Sequence, residues 1–567
     1  MINRSQNTQP VPLNIVGSST FGRYPTISIE KTINMFISDG WLVPYAGYQL
    51  AILASALGDG TTGRALHTST KLNRMVAVVG QNVYLINISF DQYQRRVITS
   101  QAIKIGELQT TRGVVYISEN NKPQIAISDG VSIYIYDPNP PMGVANFSVA
   151  TRDGTNPIDF IPGYIDFHDT YFLVAASADG FYDPAANNTW RLSESNNGLL
   201  FPNDAAHIGL LQTKPDNTQA VIRFPSKGNM IFVFGKTVIE PWFDVGYQLF
   251  PYQRNTSFNV DYGCLNPATI AYMDELAVWL GVNEKGGPVI MYSDGDMPQQ
   301  ITTDGIDYLM SNMQNPGDSQ GFIYRQDGHI FYHINFYQDN VSLFYDFNTK
   351  KFFHACDENN NYFIASSMAF FNNQYYFLSR NNGNLYAFDT IFTTYDGAEI
   401  PRLRVCKNIR NPQQEYFIGN DLGFTIETGE TNYLEQDLGP LYLITEDGKK
   451  YITEGDPIFL ATELDEIYIT EDGDNLTSEQ VDADSFEYLI SEQGNIVHTT
   501  PRVDLSISID GGDHFSSYDS VELPPIGHRK FKLAFWQLGA SNDLVCQFRF
   551  WGIGRFVVTD GVVNIRQ

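Results

Sequence analysis

Apolar residues along this chain fall in short runs of four to seven, each closed by Gly, Asn or Asp. They do not recur at the three-and-four spacing of an amphipathic helix. Met75–Val79 and Val83–Ile86 flank a turn at Gly80–Asn82, and Ile125–Ile127 and Ile133–Tyr136 flank Ser128–Gly130. The same unit returns at Tyr164–Phe167 with Tyr171–Ala175, Met230–Phe234 with Thr237–Trp242, and Leu276–Leu280 with Val289–Tyr292. It returns again at Ile330–Phe336 with Ser342–Tyr345 and at Tyr375–Leu378 with Leu385–Phe388. Such runs are strand and hairpin signals. Their starts recur roughly every 40 to 65 residues. One hairpin per repeat at that period predicts a β-propeller. Seven units predict six or seven blades, with one hairpin free to belong to a flanking domain. A stack of β-sandwiches is the alternative.

The rest of the chain departs from this rhythm. Residues 1–60, rich in Pro, Ser and Thr, read as an extended arm, and 61–395 as the propeller. Strand-like runs resume at Ile400–Ile409 and Tyr416–Ile426, then at Val503–Ile509, Lys530–Leu538, Val545–Trp551 and Phe556–Val558. These predict a C-terminal β-domain from 396–429 and 500–567. Between its halves, 430–499 carries its own repeat: Leu443-Ile-Thr-Glu-Asp-Gly448, Tyr451-Ile-Thr-Glu-Gly455, Tyr468-Ile-Thr-Glu-Asp-Gly473 and Tyr488-Leu-Ile-Ser-Glu-Gln-Gly494. Asp-Gly tolerates the positive φ of hairpin turns. The stretch is therefore expected to be an inserted domain of acidic hairpins whose like charges keep its edges from pairing. The expected class is all-β throughout.

Composition and charge narrow the function. At 567 residues, 43% hydrophobic and 14% aromatic, the chain can bury several cores. The formal charge is −28. Twenty Asp and Glu lie in 421–498, against Lys449 and Lys450. A protein that grips nucleic acid needs a basic patch. The nearest candidates, Arg402 to Arg410 and Arg529–Lys532, are short and interleaved with apolar residues, so they read as strand edges. Cys264, Cys356, Cys406 and Cys546 are far apart, which predicts buried free thiols and neither a disulfide framework nor a metal site. Met1 to Val11 has no apolar core of a signal peptide. Leu50 to Leu57 is too short to span a bilayer, so no membrane anchor is expected.

No catalytic set stands out. Ser508-Ile-Asp-Gly-Gly-Asp-His-Phe515 resembles the Asp-box of sialidases, a hairpin turn that takes no part in catalysis. Asp472-Gly-Asp474-Asn475 with Glu479 lacks the ligand order of an EF-hand loop. Glycoside hydrolysis needs two carboxylates facing across a cleft, and no pair can be singled out among 64 acids. No HExxH, GxSxG or phosphate loop occurs. Neither cofactor, metal nor catalytic residue is expected.

The order of several fragments resembles the tail-hub family of short-tailed bacteriophages, also called nozzle or packaged-DNA stabilisation proteins. Thr32-Ile-Asn-Met-Phe36 and Pro44-Tyr-Ala-Gly47 are similar to its opening, and Gly63-Arg-Ala65 with Met75–Gly80 to its first blade. Val238-Ile-Glu-Pro-Trp242, Gly263-Cys264, Trp279-Leu-Gly281, Gln300–Ile306 and Leu343-Phe-Tyr-Asp346 follow in order. So do Ser508–Gly512, Trp536-Gln-Leu-Gly539 and Arg549–Arg555. The insertion and Phe352-Phe353, where a Trp is usual, depart from the pattern. The resemblance implies a structural virion subunit, made in the host cytoplasm. It implies a homo-hexameric ring below a portal or adaptor ring, through whose channel packaged duplex DNA passes without tight binding. A tail fibre, spike or needle protein is the expected further partner, with Glu446, Asp447, Glu471 and Asp472 of the insertion as docking candidates. The alternatives are a fibre- or receptor-binding adaptor and, third, a glycan-active propeller enzyme.

Overall fold

The computed structural model describes residues 8–21, 29–57, 62–91, 96–177, 188–224, 227, 229–247, 249–256, 260–273, 275–410, 415–428, 501–523, 530–552 and 555–566, with four short strands between 442 and 497. Among these residues the protein is all-β, with a single α-helix, Asp304–Ser311. Seven antiparallel four-stranded units follow one another. Five are separate sheets: Gly63–Glu107, Tyr116–Val149, Ile161–Leu210, Thr218–Arg254 and Ala271–Gln300. The sixth, Ser319–Ala355, and the seventh, from Ala365–Phe371 to Leu385–Asp389, sit within larger sheets. Their first strands line one axis. Each of the seven predicted hairpins is a consecutive strand pair of one blade, so none belongs elsewhere.

The blades' sequence pattern follows from where their faces lie. A strand buried on both faces reads as a continuous apolar run, without alternation. In His329–Phe336 seven of the eight residues are buried. The cores lie between neighbouring blades. Ile165, Phe167 and Phe172 of blade 3 pack against Ile133 and Ile135 of blade 2. Ile290 and Leu280 of blade 5 pack on Tyr332 and Leu343 of blade 6, with Ile306 and Met310 of the helix closing the gap. The first strands of blades 1, 3, 4 and 7 each show a register shift near their start. Such bulges bend a strand and increase its twist, as crowding near an axis demands.

Residues 1–60 differ from the arm the sequence suggests. Gly47–Ile52 pairs antiparallel with Leu385–Asp389 and is the fourth strand of blade 7. The ring is thus closed by a strand preceding blade 1, which covers an edge that would otherwise be open. Tyr48 of this strand stacks on Tyr395, 4.6 Å between centroids, and meets Phe377 edge-on. Upstream, Thr8–Leu13 pairs with Gly561–Arg566, and the hairpin Met35–Ser38/Trp41–Pro44 joins the same sheet.

The C-terminal region is a two-sheet sandwich built from both ends of the chain. One sheet runs Thr8–Leu13, Gly561–Arg566, Phe417–Glu427, Val557–Val558, Trp41–Pro44, Met35–Ser38, with Phe531–Ser541 on the other side of Phe417–Glu427. The second contains Arg402–Val405, Asp543–Trp551, Arg502–Ser508 and Asp519–Glu522. It is continuous with blade 6 through Lys31–Ile33, which bridges Lys351–Ala355 on one side and Arg402–Val405 on the other. Leu422, Phe424, Leu533 and Phe535 of the first sheet pack on Leu505, Cys546, Phe548 and Phe550 of the second.

Within the insertion, Tyr442–Ile444 pairs with Lys450–Ile452 and with Leu489–Ile490, which pairs in turn with Ile496–Val497. These pairings join the first, second and fourth sequence repeats. Glu446, Asp447, Glu471 and Asp472 lie outside the described residues, as does the loop at Asp472–Glu479. Thr428 and Pro501, on either side of the insertion, line one small cavity with Arg502, Leu523 and Phe550, so its two ends leave the sandwich close together.

Candidate functional site: the propeller axis and its seam with the sandwich

First strands of six blades enclose a cavity of about 250 Å³ on the axis. Its walls include Leu66, His67, Val115, Tyr116, Tyr164, Ile165, Ile270, Tyr272, Phe322, Ser367 and Met368. Asp166 and Arg223 lie beside it on blades 3 and 4. Asp166 is fully committed: it accepts the backbone N–H of Phe167 at 2.8 Å and of Arg223 at 3.1 Å. The Arg223 guanidinium stands 3.8 Å from it, and the Tyr272 hydroxyl donates at 3.4 Å. Burial raises the Asp166 pKa, and the Arg223 charge works against that rise. Burial, then the Arg223 charge, lowers His67 to about 4, so it is neutral near pH 7. None of the residues lining this cavity is a carboxylate or a cysteine. The paired acids of a glycosidase do not meet there.

The seam between propeller and sandwich holds a heavily bonded buried arginine. Arg404, with none of its side chain exposed, donates to the carbonyls of Asn14, Ile15 and Ser18 at 3.0, 2.7 and 3.0 Å. It also reaches Thr32 Oγ1 at 3.1 Å and pairs with Glu30 at 2.5 Å. One side chain thereby ties residues 14–18 and 30–32 to the sandwich. The backbone passes so close that a Cβ on Gly17 would sit 2.0 Å from the guanidinium. Arg402, also buried, donates to the carbonyls of Gly552 and Thr393, and burial lowers its pKa to about 10. Arg402 and Arg404, read in sequence as strand-edge charges, are therefore internal clamps, whereas Arg410 is exposed and pairs with Asp543. A second cavity, about 350 Å³, opens at this seam between Glu358, Glu399, Arg402, Arg549 and Trp551.

The Asp-box is a turn with its bonds turned inward. Ser508 Oγ donates to Asp510 at 2.6 Å, and the N–H of His514 donates to Asp510 at 3.1 Å. Gly512 N–H donates to Ser508 Oγ, with φ of +111° at this glycine. Those bonds, led by the one from Ser508, hold the Asp510 carboxyl below the usual carboxylate range. All four cysteines are buried and free. Among the described residues no group of three or more His, Cys, Asp or Glu is placed to hold a metal ion. Among them, too, no helix is long and apolar enough to cross a membrane.

The propeller is closed by its own N-terminal strand and fused through a continuous sheet to the sandwich. A family model described as "Bacteriophage P22 Gp10, beta-propeller" matches residues 35–392. The chain belongs to this family and is a bacteriophage structural protein. No curated protein matches the sequence. Among solved structures, the chain is similar to the N-terminal domain of Nup159 (9% identity, 61% of this chain and 95% of that one, TM-score 0.36). It is also similar to the Cps50 (Swd1) β-propeller domain of Myceliophteria thermophila (9%, 57% and 98%, 0.30) and to an ancestral GH74 enzyme (10%, 72% and 52%, 0.36).

Proposed function

We propose that this chain is the hub or nozzle subunit of a short-tailed phage tail. It forms a sixfold ring below the portal and adaptor and conducts the packaged duplex. The observation that carries the reading is a family match running from the first sandwich hairpin through the last blade. The order of family-like fragments continues beyond it, to Trp536–Gly539 and Arg549–Arg555. A closed ring of identical subunits uses two different complementary faces on each. An image of the tail is expected to show six copies of this chain at one level; a monomer or another symmetry there overturns the reading.

The channel wall of such a ring is acidic or neutral. Duplex DNA carries about one charge per 1.7 Å of axis, and a basic wall slows its exit. Tight, salt-sensitive binding of duplex DNA to the assembled ring contradicts this. The subunit works without catalysis; the carboxylate nearest the axial cavity, Asp166, is held by the Phe167 and Arg223 amides. Turnover of a glycan by the purified protein, abolished by one carboxylate substitution, refutes that.

The acidic insertion favours a second role, docking of a fibre, spike or needle protein through Glu446, Asp447, Glu471 and Asp472. About −18 of net charge over 421–498 is strongly self-repulsive when packed around a narrow lumen, and is screened within about 10 Å on an outer rim. The insertion belongs on the outside of the ring. Deleting 430–499 leaves propeller and ring intact and removes the fibre or spike; loss of folding, or turns lying in the channel, overturns this placement.

A further inference from the structure

Two of the four free cysteines meet across one strand pair. Arg402–Val405 runs antiparallel to Asp543–Trp551, with Leu403 opposite Arg549 and Val405 opposite Gln547. The next step of that register sets Cys406 opposite Cys546, and the Cys406 N–H donates to the Cys546 carbonyl at 2.9 Å. Directly opposed residues of an antiparallel pair point to the same face. Here that face is the interior: both side chains are wholly buried in the core between the two sandwich sheets. A hydrogen-bonded antiparallel pair holds its Cα atoms about 5.5 Å apart, and disulfides most often span about 5.5–6 Å. The backbone is thus already set for a bond between the two sulfurs. Cys264 lies in the core of blades 3 to 5, and Cys356 accepts from Asn34 at the end of blade 6.

The pair sits at a break in its sheet. Beyond Cys406 the ladder resumes with Ile409 opposite Leu544. Three steps along one strand are matched by two along the other, which is a bulge, where pairing is locally disrupted. A covalent link beside the bulge holds what the interrupted hydrogen bonds do not. The segment between the two cysteines includes Phe417–Glu427, Arg502–Ser508 and Phe531–Ser541. A bond between them closes all of that into one loop, and long loops constrain the unfolded chain most.

We propose that Cys406 and Cys546 form a latent disulfide, free in a reducing cytoplasm and closed by a small-molecule disulfide oxidant, which staples the sandwich across its own break. A bacteriophage structural protein passes from a reducing compartment to an oxidising one. Burial pushes the Cys406 thiol up to about 12 and raises Cys546 as well, so both stay protonated until this edge opens. One thiolate then attacks the S–S bond of the oxidant and expels one small thiol. The second thiolate attacks the mixed disulfide and expels the other. The two cysteine protons finish on the two released thiols, and the oxidant takes up two electrons.

The test incubates the full chain with oxidised glutathione, in buffer and during refolding from urea, then alkylates it and maps its peptides without reduction. The expected product is a peptide linked through Cys406 and Cys546, with Cys264 and Cys356 alkylated. Its melting temperature is expected to lie several degrees above that of the reduced protein. The shift is expected to vanish with a reductant and to be missing in Cys406→Ser and in Cys546→Ser. Four alkylated thiols under both conditions overturn the proposal. So does a link to Cys264 or Cys356, a glutathione adduct retained on either cysteine, or a link that leaves melting unchanged.

Discussion

The propeller and the sandwich are made of the same kind of strand but are specified in opposite ways. Each blade is contiguous in sequence apart from its closure, so its hairpins pair residues a few positions apart. The sandwich takes strands from 8–44, 402–427 and 502–566, so its pairings join residues far apart along the chain. It has one apolar core between its two sheets, and a few long-range clamps, Arg404 among them, tie the N-terminal residues to it. The propeller spreads its cohesion over seven apolar interfaces. Regularity tolerates the loss of one contact; a clamp does not.

Four outcomes would break or sharpen that contrast. The largest effect is expected at Arg404. Arg404→Leu leaves Glu30 and four oxygens without their donor, and breaking such a buried arrangement costs about 3–5 kcal/mol. Urea unfolding with two probes is expected to separate, the sandwich melting first. A single coincident transition at unchanged midpoint would show that the clamp is dispensable.

Next comes the closing strand. Tyr48→Ala empties a buried space between Phe377, Tyr386 and Tyr395, a loss of about 3–4 kcal/mol. Hydrogen exchange is expected to rise in Leu385–Asp389, the strand it covers. If protection there is unchanged, the ring does not depend on its closure.

Acid is expected to weaken the propeller in particular. His333, stacked on Phe322 at 4.7 Å and hydrogen-bonded to Tyr45 at 3.0 Å, is lowered by burial to about 3. In the unfolded chain it titrates near 6.5. Between these values the unfolded state binds the extra proton, so stability is intact above about pH 6.5 and declines as pH falls toward 3. The loss approaches about 4 kcal/mol from this residue alone. His514 of the sandwich behaves oppositely, its pKa raised by the hydrogen bond its ring donates to the Asp510 carboxylate in an exposed turn. Thermal melting from pH 7 to pH 4 is expected to show a steeper decline for the wild type than for His333→Gln. Equal slopes would remove His333 from the account.

The smallest effect is expected at Trp536. Trp536→Ala changes monomer stability by no more than about 0.5 kcal/mol, as for exposed positions generally. A drop of several kcal/mol in chemical denaturation would mean that the side chain serves the core.

How far the sequence reaches depends on the range of the contact. Ile330–Phe336 and Ser342–Tyr345 announce their hairpin because a turn and two apolar runs are adjacent. Gly47–Ile52 announces nothing: its partner, Leu385–Asp389, lies at the other end of the ring, and its short run is indistinguishable from an arm. Arg402 and Arg404 mislead for the same reason. A charged residue in a short strand reads as solvated until the carbonyls of Asn14, Ile15, Ser18, Thr393 and Gly552 are brought to it. Trp536 stood within a recognisable fragment, yet its alternation with Leu533, Phe535 and Leu538 does not reveal which set faces water.

The sequence by itself determined the all-β class, the seven hairpins, the buried free thiols and the order of family-like fragments. Each is set by local turn chemistry, by residue-type preference for burial, or by simple succession. Only the tertiary structure decided how the ring closes, which strands complete the sandwich, and that Arg402 and Arg404 are buried clamps. It also decided that Trp41 and Trp536 are left outside. Those outcomes depend on strand pairings across the length of the chain, where many registers satisfy the same local pattern and the free energy of packing selects among them.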